Sequence, residues 1–225
     1  TVKETGDHGS FNSWGRDRFW HPHRQVMDSL VNAEPSLILA DVTSPIVLRH
    51  NRFRCDRGWD IDLDDGSGNY HIYNNLCLNG GIKLREGFYR VVENNIIVNN
   101  SFHPHVWFKN SGDVFTRNIV MSSYRPIQVR HWGLEVDYNI FTDSTAYQKA
   151  RKQNTDAHSI VCTPAFLNPS RGDYRIDNHS DAVFRCGFRN FDMDRFGVVS
   201  PRLKALAKTP EFPKPIQIGR ASCRE

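Results

Sequence analysis

Asp62, Asp64, Asp65 and Glu86 are the residues of this chain best placed to do chemistry, because they crowd carboxylates together among cations and aromatic rings. On an extended strand, residues i and i+2 such as Asp62 and Asp64 lie ~6.6 Å apart on one face. Neighbours on adjacent stacked strands, such as Asp65 and Glu86, lie ~4.8 Å apart. The first spacing nears that of carboxyl pairs that cleave a glycosidic bond with inversion, the second that of pairs that cleave it with retention. Cations beside such a pair keep one member ionised as base or nucleophile, and a like-charged neighbour raises the pKa of the other toward general-acid duty.

The cations fall in the same pattern. Ile61-Asp62-Leu63-Asp64-Asp65-Gly66, Ile82-Lys83-Leu84-Arg85-Glu86-Gly87, Val106-Trp107-Phe108-Lys109-Asn110 and Ile127-Gln128-Val129-Arg130-His131 align as repeats. The alignment puts Asp62, Lys83, Trp107 and Gln128 in one column, Asp64, Arg85, Lys109 and Arg130 in a second, and Asp65, Glu86, Asn110 and His131 in a third. Cross-strand ion pairs on a solvated face, worth ~0.2–1 kcal/mol each, account for Asp62 with Lys83 and Asp64 with Arg85. They do not account for the rings and polar groups on the same side: Asn12, Trp14, Arg16, Trp59, His103, His105 and His131-Trp132. Aromatic faces stack on the apolar faces of sugar rings, and Arg, Asn and Asp bond hydroxyls. Candidate substrate contacts are therefore Asn12, Trp14, Arg16, Lys83, Arg85, His103, His105, Trp107, Lys109, Arg130 and His131.

The elements that carry these residues repeat about every 22 residues, a solenoid period. Each unit alternates apolar with polar residues and is too short for a helix. Ile61, Ile82, Val106 and Ile127 are expected to stack inward, with Asp62, Lys83, Trp107 and Gln128 pointing out. If so, Asp62→Asn or Asp64→Asn at an exposed surface costs less than ~1 kcal/mol. A second unit follows each first one: Ile72-Tyr73-Asn74-Asn75-Leu76, Val92-Glu93-Asn94-Asn95-Ile96, Phe115-Thr116-Arg117-Asn118-Ile119 and Val136-Asp137-Tyr138-Asn139-Ile140, with a forerunner at His50-Asn51-Arg52-Phe53. Its asparagines at 75, 95, 118 and 139 are expected to form a structural ladder at a bend.

The fold expected is all-β, a right-handed parallel β-helix of about five coils over residues 1–145, with a long insertion at about 18–45 that shapes a cleft. Residues 146–213 read as a C-terminal coil and cap, with Phe166, Tyr174, Phe184, Phe188 and Phe191 as its core. Residues 214–225 read as a linker followed by Ile218–Glu225, which resembles a translated sequencing adapter. Without a Met or signal-like segment at Thr1, the N-terminus is expected to have been lost or trimmed.

A net charge of +4 argues against nucleic acid as a partner, and no run is long and apolar enough for a membrane span. Cys55, Cys77, Cys162 and Cys186 form no CxxC pair, which argues against structural zinc. Cys55 and Cys77 are expected to stack in one core, reduced in preference to disulfide-bonded. Asp7-His8 and His21-Pro22-His23 lack a further ligand and read as loop histidines, not a metal site.

The coil pattern, the stretch from Gly6 to Asp17, the segment from Gly58 to Gly66 and the tail Gly172-Asp173-Tyr174-Arg175 resemble bacterial right-handed parallel β-helix glycoside hydrolases. The family 141-like group, which includes fucosidase and xylanase activities, is the nearest in pattern. The Asp64-Asp65 pair is also similar to the paired aspartates of polygalacturonases, although the other acidic residues are spaced differently. The resemblance implies a monomeric enzyme, secreted or periplasmic, acting on a polysaccharide or oligosaccharide without a cofactor. A polysaccharide lyase with aspartate-bound Ca²⁺ and a basic residue as proton acceptor, or a non-catalytic carbohydrate-binding solenoid, are the competing expectations.

Overall fold

Short strands that alternate apolar and polar residues cannot bury a face alone, so each coil stacks on the one before. The computed structural model describes residues 7–16, 18–208 and 211, and shows a parallel β-solenoid of about six turns. Three sheets build its walls. Sheet A contains β1 (Gly9–Trp14), β4 (Trp59–Asp64), β7 (Ile82–Leu84) and β10 (Phe102–Pro104). Sheet B contains β2 (Ile46–Arg49), β5 (Tyr70–Tyr73), β8 (Arg90–Glu93), β11 (Val114–Thr116) and β13 (Glu135–Asp137). Sheet C contains β3 (Arg52–Phe53), β6 (Leu76–Cys77), β9 (Ile96–Ile97), β12 (Ile119–Val120), β14 (Ile140–Phe141) and β15 (Ile160–Val161). The second sequence unit is thus two strands hinged at its asparagine, and sheet C holds six strands where about five coils were expected.

The hinge is a left-handed residue followed by a buried Asn. His50, Asn74, Asn94, Arg117 and Tyr138 have φ between 54° and 58°, a region that asparagine tolerates better than most side chains. The next residue in each coil points inward, and Asn75, Asn95, Asn118 and Asn139 are wholly buried. Each amide oxygen accepts the backbone N–H of the Asn one coil earlier: Asn51 to Asn75 at 3.1 Å, Asn75 to Asn95 at 3.0 Å, Asn95 to Asn118 at 3.0 Å and Asn118 to Asn139 at 3.0 Å. The Asn95 NH₂ group in turn donates to the Ile72 and Glu93 carbonyls. Asn139 ends the series by donating its N–H to Ser159 Oγ at 2.7 Å and its NH₂ to Asp156 at 3.0 Å. The ladder is structural, as expected.

Inside, Ile61, Leu63, Ile82, Leu84, Ile72, Val92, Phe102 and Phe115 form one core, with the Phe102 and Phe115 rings stacked at 3.9 Å. The third coil corrects the sequence alignment. Ile82, Lys83 and Leu84 pair with Phe102, His103 and Pro104, not with the segment that begins at Val106. Val106 turns the chain with φ 57°, Trp107 is a core residue whose Nε1 donates to the Leu84 carbonyl at 3.0 Å, and Ile127 is half exposed. The inward column therefore reads Phe11, Ile61, Ile82, Phe102. Cys55 and Cys77 are both reduced and buried, but Cys77 lies beside Phe53 and Ile97, so the two thiols do not stack.

The insertion between β1 and β2 contains a helix, α1 (Arg24–Ala33), ended by the Glu34-Pro35 step. Met27 and Val31, one turn apart, bury against Phe88 and Phe108, whose rings stack at 4.8 Å. Asp28 accepts the Lys109 N–H, and Arg24 donates to the Gln128 carbonyl. After β14, α2 (Ser144–Arg151) starts on Asp143, which accepts from the Thr145 and Ala146 N–H groups, and lays Ala146 and Ala150 over the end of the core. The remaining tail, with α3 (Asp181–Cys186) and α4 (Pro201–Lys208), runs back over the outer face of sheet C. It covers Leu76, Ile96, Ile119, Ile140 and Ile160 with Ile176, Ala182, Phe188, Phe191 and Met193. Phe188 and Phe191 are buried as expected and Phe166 and Tyr174 partly so, whereas Phe184 is exposed. The expected adapter segment lies outside the described residues.

Asn95→Ala removes an acceptor from a buried N–H and a donor from two carbonyls, so it should lower unfolding free energy by roughly 2–4 kcal/mol. Asn51→Ala, at the more open end of the ladder, should cost less than about 1 kcal/mol. Urea titration of both variants checks the ranking, and equal losses would contradict it.

Candidate active site

Sheet A presents its outward side chains in two columns fixed by strand register. Asn12, Asp62, Lys83 and His103 stand in the first. Trp14 and Asp64 open the second, and the next positions along their coils add Arg85 and His105. His103 and His105 thus occupy, from within the strand and just after it, the places the alignment assigned to Trp107 and Lys109. Lys109 is carried past the turn at Val106 to where its N–H meets Asp28 of α1, and Arg130 and His131 lie exposed beyond the turn at Gln128. Neither Lys109 nor Arg130 nor His131 forms an ion pair with the carboxylates among the described residues.

The first column is buried from Asp62 through Lys83 to His103, and only Asn12 is exposed. Asp62 and Lys83 are 0% and 3% exposed, so these two outward-pointing residues are covered by their neighbours. Lys83 Nζ lies 2.9 Å from Asp62 Oδ1 and 3.4 Å from Asp64 Oδ1, and sits 4.2 Å from the centre of the Trp59 ring. Asn12 donates to the other Asp62 oxygen at 3.1 Å. Burial raises the Asp62 pKa, and the hydrogen bond and charge of Lys83 offset this only in part. Asp60, which the alternating pattern places with this set, does something else. Its carboxylate accepts from the backbone N–H groups of Cys55, Asn79, Gly80 and Gly81, and burial lifts its pKa to about 6 against those bonds. It ties two coils together and takes no part in the site.

The site reaches solvent at the strand exit, where Trp14 and Arg16 are exposed and Asp64 and Arg85 partly so, while Asp65 and Glu86 keep only 9% and 8% of their surface exposed. Arg85 Nε reaches Asp65 Oδ1 at 2.8 Å, Glu86 Oε2 at 2.9 Å and Asp64 Oδ1 at 3.6 Å. Arg16 pairs with Asp65 Oδ2 at 2.9 Å, while its guanidinium lies over Trp14 at 4.9 Å and Trp20 at 4.5 Å. Gly66, directly after Asp65, has φ 75°, and a Cβ there would stand 2.2 Å from the Gly15 carbonyl oxygen. That close approach brings Arg16 beside Asp65. Trp14 is 63% exposed and stands at the rim.

The two carboxylates that share Arg85 are driven apart in acidity. Burial raises Glu86 above the ordinary glutamate range, and the Arg85 bond recovers only part. Burial pushes Asp65 up as well, but the Arg16 hydrogen bond, the Arg85 charge and a bond with Glu86 together hold it below the ordinary aspartate range. One group is thus favoured as acid and its neighbour as anion. His103 and His105 are neutral at ordinary pH. Burial takes His103 down to about 3 and His105 down to about 4, with nearby Lys83 adding to both. His103 Nε2 is engaged by Asn100 at 2.8 Å, whereas the buried His105 Nε2 has no hydrogen-bond partner among the described residues.

Missed in the sequence were Trp20, the bracing role of Trp59 against Lys83, and the pair Arg90–Asp113. That pair is wholly buried, meets at 2.6 Å, and anchors the Arg85 carbonyl through Arg90 Nη1. An arginine and an aspartate one coil apart were visible, but nothing in their spacing shows that both turn inward.

Because Asp62 is buried, the expectation of a cheap Asp62→Asn change is revised. Lys83→Met strands a buried carboxylate and should cost roughly 3–5 kcal/mol, most of it recovered when Asp62→Leu is added. A urea double-mutant cycle reads this directly, and simple additivity would sink it. Compared with known proteins, the chain matches no protein-family model, no curated protein and no solved structure, so the site has to be interpreted from its own geometry on a parallel β-solenoid.

Proposed function

We propose that the chain is a glycoside hydrolase of the β-helix type, similar in pattern to the family 141-like group, with Glu86 as general acid and Asp65 as its ionised partner. The observation that carries this reading is the bridging of Asp65 and Glu86, on adjacent coils, by the single Arg85 guanidinium at the rim beside Trp14 and Arg16. Two oxygens each within 2.9 Å of one nitrogen are no more than about 6 Å apart, short of the gap that an inverting pair needs for water. Asp65 therefore acts as nucleophile on the anomeric carbon while Glu86 protonates the leaving oxygen. Glu86 then takes a proton from the water that releases the sugar, with net retention. Asp64, partly exposed between Lys83 and Arg85, is suited to sugar hydroxyls. Trp14 offers a stacking face.

The lyase reading draws less support from the same atoms. Lys83 and Arg85 stand among the carboxylates that a Ca²⁺ ion would need, so the donor set does not fit such an ion. Lys83, a candidate base for that chemistry, is buried against Asp62 and Trp59.

A panel of plant and algal polysaccharides incubated with the full chain should yield new reducing ends without ultraviolet-absorbing unsaturated sugars. Unsaturated products would mark a lyase, and neither product a binder. On the substrate so found, Asp65→Asn and Glu86→Gln should each lower kcat by ~10² or more with little change in binding. Activity should need Asp65 ionised and Glu86 protonated. The acid limb should therefore fall below the ordinary aspartate range and the alkaline limb above the ordinary glutamate range. The first product seen by NMR should keep the substrate's anomeric configuration; an inverted one would exclude Asp65 as nucleophile.

A further inference from the structure

A second groove lies away from sheet A, where the returning tail meets the corner between sheets B and C. Its volume is about 720 Å³, within the usual range for ligand clefts. Tyr73, Glu93, Asn94 and Arg117 form one wall, and Arg189 and Asn190 the other.

The walls are held by hydrogen bonds that use up their amides. Asn94 donates to Asn74 Oδ1 at 2.7 Å and to the Arg189 carbonyl at 2.8 Å, and accepts the Arg189 N–H at 2.7 Å. Asn190 likewise bonds the Ile176 backbone in both directions, at 2.9 and 2.7 Å. What remains for a ligand is charge. Glu93 is met by His71 at 2.9 Å and by Arg117 at 3.5 Å, so its negative charge is already engaged. Arg117 is 43% exposed, with only one nitrogen in those contacts, and Arg189 has no ion pair among the described residues. Arg49 adds a further cation 6.0 Å from the Tyr73 ring. The groove therefore has firm walls and a surplus of guanidinium, the group whose fork matches planar or tetrahedral oxyanions.

We propose that this groove is a second binding site, which takes an anionic oligosaccharide through the carboxylate or sulfate of one sugar on Arg117 and Arg189. Recognition of the anion follows from the groove alone; the choice of a sugar as its carrier rests on the hydrolase reading of sheet A.

The test uses the full chain carrying Glu86→Gln, so that nothing is turned over, in calorimetric titrations with an oligogalacturonate, a sulfated galactan oligosaccharide, a neutral xylo-oligosaccharide and a short single-stranded DNA. One of the two acidic sugars should bind at least ~10-fold more tightly than the neutral one, a difference of about 1.4 kcal/mol. The preferred sugar identifies carboxylate or sulfate as the anion. Arg117→Gln and Arg189→Gln, both on exposed side chains, should each remove most of that preference while leaving the circular dichroism spectrum and urea midpoint unchanged. Asp65→Asn should leave it intact. Equal affinity for neutral and acidic sugars, no measurable binding of either acidic one, insensitivity to both arginine changes, or tighter binding of the DNA would each overturn the proposal. Failure of the sheet A reading would appear separately, as an unmodified chain that binds here but turns nothing over.

Discussion

Each corner asparagine offers its oxygen to a backbone N–H of the coil before it and its NH₂ to carbonyls that water cannot reach. Coils ~4.8 Å apart can be stacked in several registers as far as hydrophobic contact is concerned, since apolar burial has no direction. The ladder has direction. A coil that slips by one residue would leave a wholly buried amide without partners, at a cost comparable to a sizeable part of a domain's net stability. Register on sheet C is thereby set, and register on sheet A follows because the strands of one coil are joined by short connections. The columns of the candidate site exist because their residues share that register.

Register then imposes a charge problem. Asp62 and Asp64 repel across one strand, and burial makes the repulsion worse. Lys83 sits one coil along at the same height as Asp62 and within reach of both, and Arg85 does the same for Asp64, Asp65 and Glu86. A buried ion cluster of this kind gives little net stability compared with apolar packing of equal volume. At the exit of sheet A the cluster holds carboxylates close while their surroundings keep Asp65 and Glu86 apart in acidity. Arg90 and Asp113, fully buried under the same loop, fix the carbonyl of Arg85 and so the place of that shared cation.

The coil period, the inward stacks at Ile61, Leu63, Ile82 and Leu84, the asparagine ladder and the insertion after β1 were legible in the sequence, because each rests on periodicity or on the conformational preference of one residue type. The third coil was not. It is longer than its neighbours, and the spacing of Asn95 and Asn118 does not say on which side of the strand the surplus residues fall. Val106-Trp107-Phe108 alternates as a strand should, while Phe102-His103-Pro104 carries a proline, a residue that argues against a central strand. The structure admits Pro104 because its carbonyl, and hence its missing N–H, faces the following coil, where sheet A is reduced to the bridge between His105 and Ile127. The surplus residues then turn Trp107 inward. A correct alignment needed the knowledge that sheet A was about to end.

The outer faces of sheets C and A are finished in different ways, and the difference bears on where a ligand can approach. Sheet C shows outward Leu76, Ile96, Ile119 and Ile140, an aliphatic stripe that would be costly to leave in water, and the tail covers it coil by coil from Cys186 beside Asn139 to Phe196 beside His50. Sheet A needs no such cover, because most of its outward residues are polar and pair with one another across coils, as Asn12, Asp62, Lys83, Asp64 and Arg85 do. Among the described residues Trp59 lies against Lys83 and Asn12 against Asp62, and this cover stops short of Trp14, Arg16, Asp64 and Arg85 at the strand exits. The columns are therefore open to solvent at one end, where Asp64 is partly exposed and Asp65 and Glu86 lie just beneath the surface, and closed at the other. The buried half holds the charges in place, and on the proposed hydrolase reading the exposed half is where a substrate would meet them.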